Sequence, residues 1–311
     1  MINHPNHSAK FSLSLLLLAI TLSGCRFGEL DLWSAVSSSD ESNAESHTTP
    51  EELKERWQVA FTALNDALSN KDSQLARRIY SEELEPVGLE LAEISGDHYL
   101  AFILEANGAI ALTSNNIEEA LESYENAFSI SLESDVDELS VAILASELGH
   151  CYRLNGDFEM AAEVLENAID DMEEHDGAVA NRMSAIADLY DCYLKLDDPE
   201  KTIDVLERGV ATLLPLVSEE FDRIALMSGM VIELSKMTGD NERSQEYGEL
   251  CRALDSDFQL DTNIRQMLVD SSVLGSTNDF RSQNQQQVLR PESSFAQQNE
   301  NQQLVAEAQA E

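Results

Sequence analysis

Cations are what this sequence has least of. Against 59 aspartates and glutamates stand 19 lysines and arginines, a formal net charge of −40 over 311 residues. Nucleic-acid binding depends on Lys and Arg neutralising phosphates, so the balance argues against that class of partner and against adhesion to anionic headgroups. It favours basic partners or divalent ions, and adaptation to a salty habitat accounts for it equally well. Prolines number 6 and glycines 13, and no segment alternates apolar and polar residues as a half-buried strand would. Long apolar runs are also missing: the stretch from Gly209 to Val217 falls well short of the roughly 20 residues that span a bilayer. Absent too are HExxH, CxxC, G-x-S-x-G and a phosphate-loop glycine pattern. The histidines beyond the N-terminal region are His47, His98, His150 and His175, and no nucleophile and base share a recognisable motif with them. Glu173, Glu174 and Asp176 lack the spacing of a calcium loop. Catalytic residues, metal ligands and cofactors are therefore expected to be none.

The N-terminus reads as a targeting segment. "MINHPNHSAK" carries one lysine and no acid, and "FSLSLLLLAITL" over residues 11–22 suits the apolar part of a secretory signal. Leu22-Ser23-Gly24-Cys25 follows. This resembles the lipobox of bacterial lipoproteins. The resemblance implies cleavage after residue 24 and lipidation of the Cys25 thiol. Two or more acyl chains anchor stably where one is marginal. Arg26 in place of aspartate implies transport to the outer membrane, with the chain facing the periplasm. Residues 25–50, including "SSSDESNAESHTTP", read as a flexible tether, and the Gln/Asn-rich residues 275–311 as a disordered tail.

Between these ends, apolar residues recur at three- and four-residue spacing, as on amphipathic helices. The pattern itself recurs: Gly108, Gly149 and Tyr190 are evenly spaced by 41 residues, and Ile232 follows 42 later. The clearest copy is "LGHCYRLNGDFEMAAEVLENAI", with Leu148, Gly149 and Tyr152 on a first helix, Gly156-Asp157 in a turn, and Ala161, Leu165 and Ala168 on a second. It resembles the tetratricopeptide repeat. The preceding copy keeps Gly108, Ala120, Tyr124 and Ala127 but has Ala111 for the tyrosine. The following one keeps Leu189 and Tyr193 and departs at Tyr190, Thr202 and Gly209. A copy near Gly239-Asp240 is weaker, and another around Leu64 and Ala76 is degenerate.

The resemblance implies an all-α, right-handed solenoid of αα-hairpins. Repeats over 51–255 make about four or five hairpins, and a capping helix lies within 256–274. The period exceeds the usual 34 residues of the family and implies longer helices, as in the extended repeats of kinesin light chains. Gly149, Ala161 and Ala168 are expected to let paired helices approach, with Tyr152 and Leu165 filling the space between them. Cys151 and Cys192 fall one period apart. Equivalent helices about 8–10 Å apart exceed the roughly 7 Å reach of a disulfide, so both read as buried apolar thiols. Acidic second-helix residues such as Glu118, Glu119, Glu122 and Glu125 read as a solvated face.

In the resembling family the first helices line a concave groove that holds partner segments. Stepping by the period from His150 gives Ala109, His150, Asp191 and Glu233. Flanking rows hold Phe102 and Ile143, then Arg153 and Lys236, with Glu105 and Lys195 beside them. A protein or peptide segment is the expected partner, bound through Phe102, Glu105, Ile143, His150, Arg153, Asp191, Lys195, Glu233 and Lys236. The expected role is a non-enzymatic adaptor in envelope assembly, secretion or wall-enzyme organisation. The alternative is a ligand- or metal-sensing lipoprotein.

Overall fold

Thr49 accepts a hydrogen bond from the backbone of Glu52, whose carboxylate accepts one from the Thr49 N–H, and Pro50 supplies the fixed φ of a first helical residue. This capping box opens the first helix of a computed structural model that describes residues 49–175 and 178–274. The signal segment, Cys25, the tether to residue 48 and the tail from 275 lie outside the described residues. Helix α1 (Pro50–Ser69) pairs with a bent helix made of α2 (Ser73–Ile79), a π-helical turn (Tyr80–Leu84) and α3 (Glu85–Ser95). Pro86 explains the bend. It has no N–H to donate and its ring crowds the carbonyl four residues back, so the turn before it widens and the Glu85 N–H reaches Tyr80 instead.

Four hairpins follow: α4 (His98–Thr113) with α5 (Ile117–Glu133), α6 (Glu138–Asn155) with α7 (Phe158–Glu173), α8 (Val179–Lys195) with α9 (Pro199–Leu213), and α10 (Val217–Thr238) with α11 (Asn241–Phe258). A last helix, α12 (Thr262–Asp270), closes the array. No strand occurs among the described residues. Each helix packs mainly on its neighbours in sequence, the contact pattern of an αα-hairpin solenoid.

The turns inside the hairpins carry the period in their backbone. Lys71, Asn115, Gly156, Asp197 and Gly239 all adopt left-handed φ, between 56° and 90°. In each case the next residue donates its N–H to a carbonyl five positions back, as in Asp157 N to Tyr152 O at 2.9 Å and Asp240 N to Ser235 O at 2.8 Å. That is the Schellman closure, which satisfies carbonyls the ending helix would leave bare. The same next residue, an Asp or Asn, becomes the N-cap of the second helix. Asp72, Asn116, Asp198 and Asp240 each accept from the backbone N–H three residues on. Asp157 is held by Asn155 instead and makes no such cap bond. A non-glycine residue in the left-handed region carries a steric cost of about 1–2 kcal/mol. Lys71→Gly and Asp197→Gly are therefore expected to raise stability by about 1 kcal/mol each, read as a higher urea midpoint. An unchanged or lower midpoint would show that these side chains hold their turns in some other way.

Helices approach most closely where glycine permits it. A Cβ at Gly149 would lie 2.6 Å from Leu165 Cγ, and one at Gly108 would lie 2.7 Å from the ring of Tyr124. Gly209 occupies the place of Ala127 and Ala168, and there the close contact passes to the next hairpin: an added Cβ would run into Met227 Cε of α10. Thr202, buried where its counterparts are alanine, satisfies its hydroxyl by donating to Asp198 O. Tyr152 packs against the core of its own hairpin and also reaches beyond it. It is half-buried against the preceding repeat, and its hydroxyl donates to Glu125 of α5 at 2.7 Å, a bond repeated between Tyr193 and Glu166.

On the acidic face Glu118, Glu122 and Glu125 are exposed, as expected, and Glu119 is half-buried; some of its carboxylates also make contacts. Glu125 receives that tyrosine, and Glu119 pairs with Arg77 at 3.5 Å. Further along the outer face, Arg208 of α9 bridges to Asp170 and Glu173 of α7, and Arg243 of α11 bridges to Asp204 and Glu207 of α9. These second-helix carboxylates tie neighbouring repeats together. At the end of the array, Leu268 of α12 packs onto Gly229 of α10. Arg265 pairs with the buried Asp255 at 2.9 Å, and the Asp222 carboxylate receives the Asp261 N–H.

Candidate functional site: the inner face of the first helices

The first helices α6 and α8 touch each other directly, while the second helices of the same hairpins make no comparable contact. Between these two hairpins the first helices are therefore the closer pair, and we call the face they share the inner face. Residues three and four apart share a helix face. On α4 that face carries Phe102 and Glu105, on α6 Ile143, Glu147, His150 and Arg153, and on α8 Asp188 and Asp191.

Between α6 and α8 the charges meet. Arg153 brings Nε to 2.7 Å from Asp188 Oδ1 and donates from Nη1 to Asp191 Oδ2 at 2.9 Å. His150 Nδ1 lies 2.8 Å from Asp188 Oδ2. Burial disfavours the imidazolium, but the Asp188 bond and charge, helped by Glu147, outweigh it and raise the His150 pKa. A proton on Nδ1, in the neutral or the charged ring, is donated to Asp188. Arg153 Nη2 lies 3.3 Å from the same nitrogen, and both side chains share the Asp188 carboxylate. The contacts run from residue i to i+38, one helical turn short of the 41-residue period. Neighbouring first helices are offset by that turn, so His150 pairs with Asp188 and not with its periodic counterpart Asp191. Stepping by the period alone missed both Glu147 and Asp188. The row one turn before His150 would have found them.

Between α4 and α6 the charges do not cancel. The two helices touch at most marginally. Glu105 and Glu147 stand on their facing sides, each half-buried. No cation or hydrogen-bond donor pairs with Glu105 among the described residues. Burial, then the neighbouring Glu147 charge, pushes Glu105 up to about 7. Burial raises Glu147 also, with His150 opposing and Asp188 adding to the shift.

The pH consequence has a definite sign. A carboxyl whose folded pKa lies above its unfolded value penalises the folded state when ionised, and the penalty fades as pH falls through the folded pKa. A histidine with a raised folded pKa contributes stability below its unfolded value and loses it as pH rises. Both act in one direction here, so the protein is expected to be more stable at pH 5.5 than at pH 8. Glu105→Gln should stabilise by about 1–2 kcal/mol at pH 8 and by little at pH 5.5. Parallel denaturation curves for the two proteins at both pH values would contradict this.

The remaining predicted groove residues divide. Lys195 is exposed at the end of α8. Glu233 and Lys236 pair with each other at 2.9 Å, and Lys236 Nζ also donates to Ser271 O just beyond α12, so both are engaged at the closed end of the array. Cys151, adjacent to His150, points the other way: its thiol is fully buried and pushed up to about 12, as are Cys192 and Cys251. The His150–Asp188 pair thus has no thiolate beside it. Glu173 of the acidic connector is taken by Arg208, and Asp176 lies outside the described residues. Among the described residues no three His, Cys, Asp or Glu side chains are grouped to hold a metal ion.

Residues 146–170, the end of α6 and most of α7, match the tetratricopeptide repeat. Several solved structures are similar to the chain. The putative kinesin light chain TPR-like repeats of Podosopora anserina are 18% identical, cover 69% of this chain and 100% of that one, and give a TM-score of 0.49. A point variant of the same repeats is 19% identical over 68% and 97% of the two chains, at a TM-score of 0.47. BtubC (BKLC) from P. vanneervenii is 17% identical over 78% and 96%, at 0.43. No curated protein matches the chain.

Proposed function

We propose that this protein is a non-enzymatic adaptor, held by lipidated Cys25 in the outer membrane and facing the periplasm, that binds a segment of another protein along the inner face of its first helices. The observation that carries the binding half of the reading is the shared face of the first helices α6 and α8, which touch each other directly and carry Ile143, His150 and Arg153 part-buried along it. The tetratricopeptide match at residues 146–170, within the hairpin at the centre of that surface, supports the same reading. The anchoring half rests on Leu22-Ser23-Gly24-Cys25 behind a short apolar run. Envelope assembly, secretion or organisation of wall enzymes are the tasks this placement would serve.

Two measurements test the halves separately. Cells fed labelled palmitate should incorporate it into the chain, and Cys25→Ser should abolish the label and release the protein from membranes. Label retained in that variant would remove the anchor. A photo-crosslinking residue at Phe102 should capture a defined protein that the same residue at the outer-face position Glu122 does not. Equal capture from both faces would remove the groove.

A further inference from the structure

Ion pairs between neighbouring hairpins mostly use cations that keep their charge throughout the neutral range. Arg77, Lys201, Arg208 and Arg243 each reach a carboxylate on another hairpin in this way. Among the described residues the contact from α6 to α8 is different, because His150 shares it with Arg153. His150 Nδ1 stands 2.8 Å from Asp188 Oδ2, and the two side chains are only 28% and 16% exposed, so salt screens the pair little. The charged groups around the imidazole are Glu147 and Arg153 on its own helix and Asp188 on α8, with Asp191 on the far side of Arg153. Glu105 of α4 is coupled to Glu147 and not to the imidazole, and among the described residues α5 and α7 send no charge to it. The Cys151 and Cys192 thiols nearby are pushed up to about 12, chiefly by burial, and stay neutral. With His150 charged, two cations answer the carboxyl groups of Glu147, Asp188 and Asp191. With it neutral, Arg153 answers them alone. The Nδ1 hydrogen bond to Asp188 is open to both forms of the ring, so protonation changes the charge balance of the contact and not its connectivity.

We propose that the contact between α6 and α8 is a pH-responsive joint: charged His150 holds the two first helices together on their inner face, and loss of its charge loosens that layer while the hairpins stay stacked. The apolar layer beneath, which includes Ala145, Ile186 and Leu189, does not titrate and keeps the hairpins together. The sign follows from linkage. A histidine whose folded pKa is raised contributes stability below its unfolded value, and the contribution is lost as pH rises through the folded one. The joint therefore tightens in acid and loosens in base. It sets how firmly the face carrying Ile143, His150 and Arg153 is held, and it is a property of the chain alone, independent of any bound segment or lipid anchor.

Nuclear magnetic resonance titration of the full chain locates the midpoint of the His150 imidazole, and hydrogen exchange read by mass spectrometry well below and well above that midpoint tests the joint. After correction for the intrinsic rate, protection in residues 143–155 and 184–195 should fall at least threefold from the acid to the basic side. In α1 and α11 it should change less than twofold. His150→Gln keeps a hydrogen-bonding side chain without the charge, and on both sides it should exchange as the parent does in base. His150→Lys keeps the charge, and in base it should stay as protected as the parent in acid. An equal fall along all the helices would overturn the joint, because pH would then act on global stability alone. A parent-like fall in His150→Gln would overturn it too, and its disappearance in Glu105→Gln would assign the response to the α4 carboxyl. The parent supplies a check that needs no variant to fold. The midpoint of the exchange transition must coincide with that of the imidazole, and a transition displaced from it would overturn the assignment to His150.

Discussion

Gly149→Val is expected to open the middle of the stack. Its first added carbon would sit 2.6 Å from Leu165 Cγ and 2.8 Å from Leu165 Cδ2, with the Ala161 carbonyl behind at 3.5 Å. Leu165 is fully buried in the core cluster of α6 and α7. Overpacking of this kind costs about 1–3 kcal/mol or more, and the branched side chain adds a second carbon to the clash. A destabilisation of about 3 kcal/mol is therefore expected, seen as a lower urea midpoint and as faster hydrogen exchange in α6 and α7 before the outer hairpins. Leu165→Ala alone should cost about 2–4 kcal/mol through its cavity. The double variant should cost clearly less than the sum of the two, because each change makes room for the other. Additive losses would mean that the two side chains do not compete for the same space.

Arg153→Met carries the second large effect. Arg153 and Asp188 are 19% and 16% exposed in their side chains, and the arginine is the principal cation answering both Asp188 and Asp191. Removing one member of a buried pair leaves the others desolvated and unpaired, at a cost of about 3 kcal/mol. His150 then stands alone against two carboxylates and loses a positive neighbour, so its pKa should rise further. Nuclear magnetic resonance titration of the imidazole reads that rise independently of stability. Replacing Arg153, Asp188 and Asp191 together with apolar residues of similar size should be much milder than Arg153→Met. If the triple variant is the worse one, the cluster is a net source of stability and not only a constraint on register.

The residues that announced the architecture are those whose side chains do one local thing. Gly149 against Leu165, the Gly-Asp turns at 156 and 239, and the Asp and Asn caps are each readable from neighbours within a few positions. Their regular recurrence defined the hairpins. Thr202 and Gly209 looked like departures because their reasons lie elsewhere: a hydroxyl satisfied by its own helix in one case, a methionine from the next hairpin in the other. The inner face was only partly readable for a related reason. Periodicity says which residues are equivalent, but contact between neighbouring first helices is offset by one turn, and that offset comes from how whole hairpins lean on one another. It pairs His150 with Asp188, outside the row that periodicity drew through His150 and Asp191, and left Glu147 unnoticed. The same limit hid the reach of the Tyr152 hydroxyl to the preceding repeat.

The scarcity of cations acquires a mechanical meaning once their positions are known. Arg208 and Arg243 each clamp two acids across a gap between second helices, and Arg153 does the same between first helices. Sharper curling of the stack must stretch the outer clamps, and straightening must stretch the inner one. Three arginines thus act as tie-rods that hold the pitch of the coil from both sides. The outer pairs are largely exposed, so their grip weakens as salt rises, while the buried inner one is screened much less. Salt is accordingly expected to loosen the outer side of the stack before the inner one.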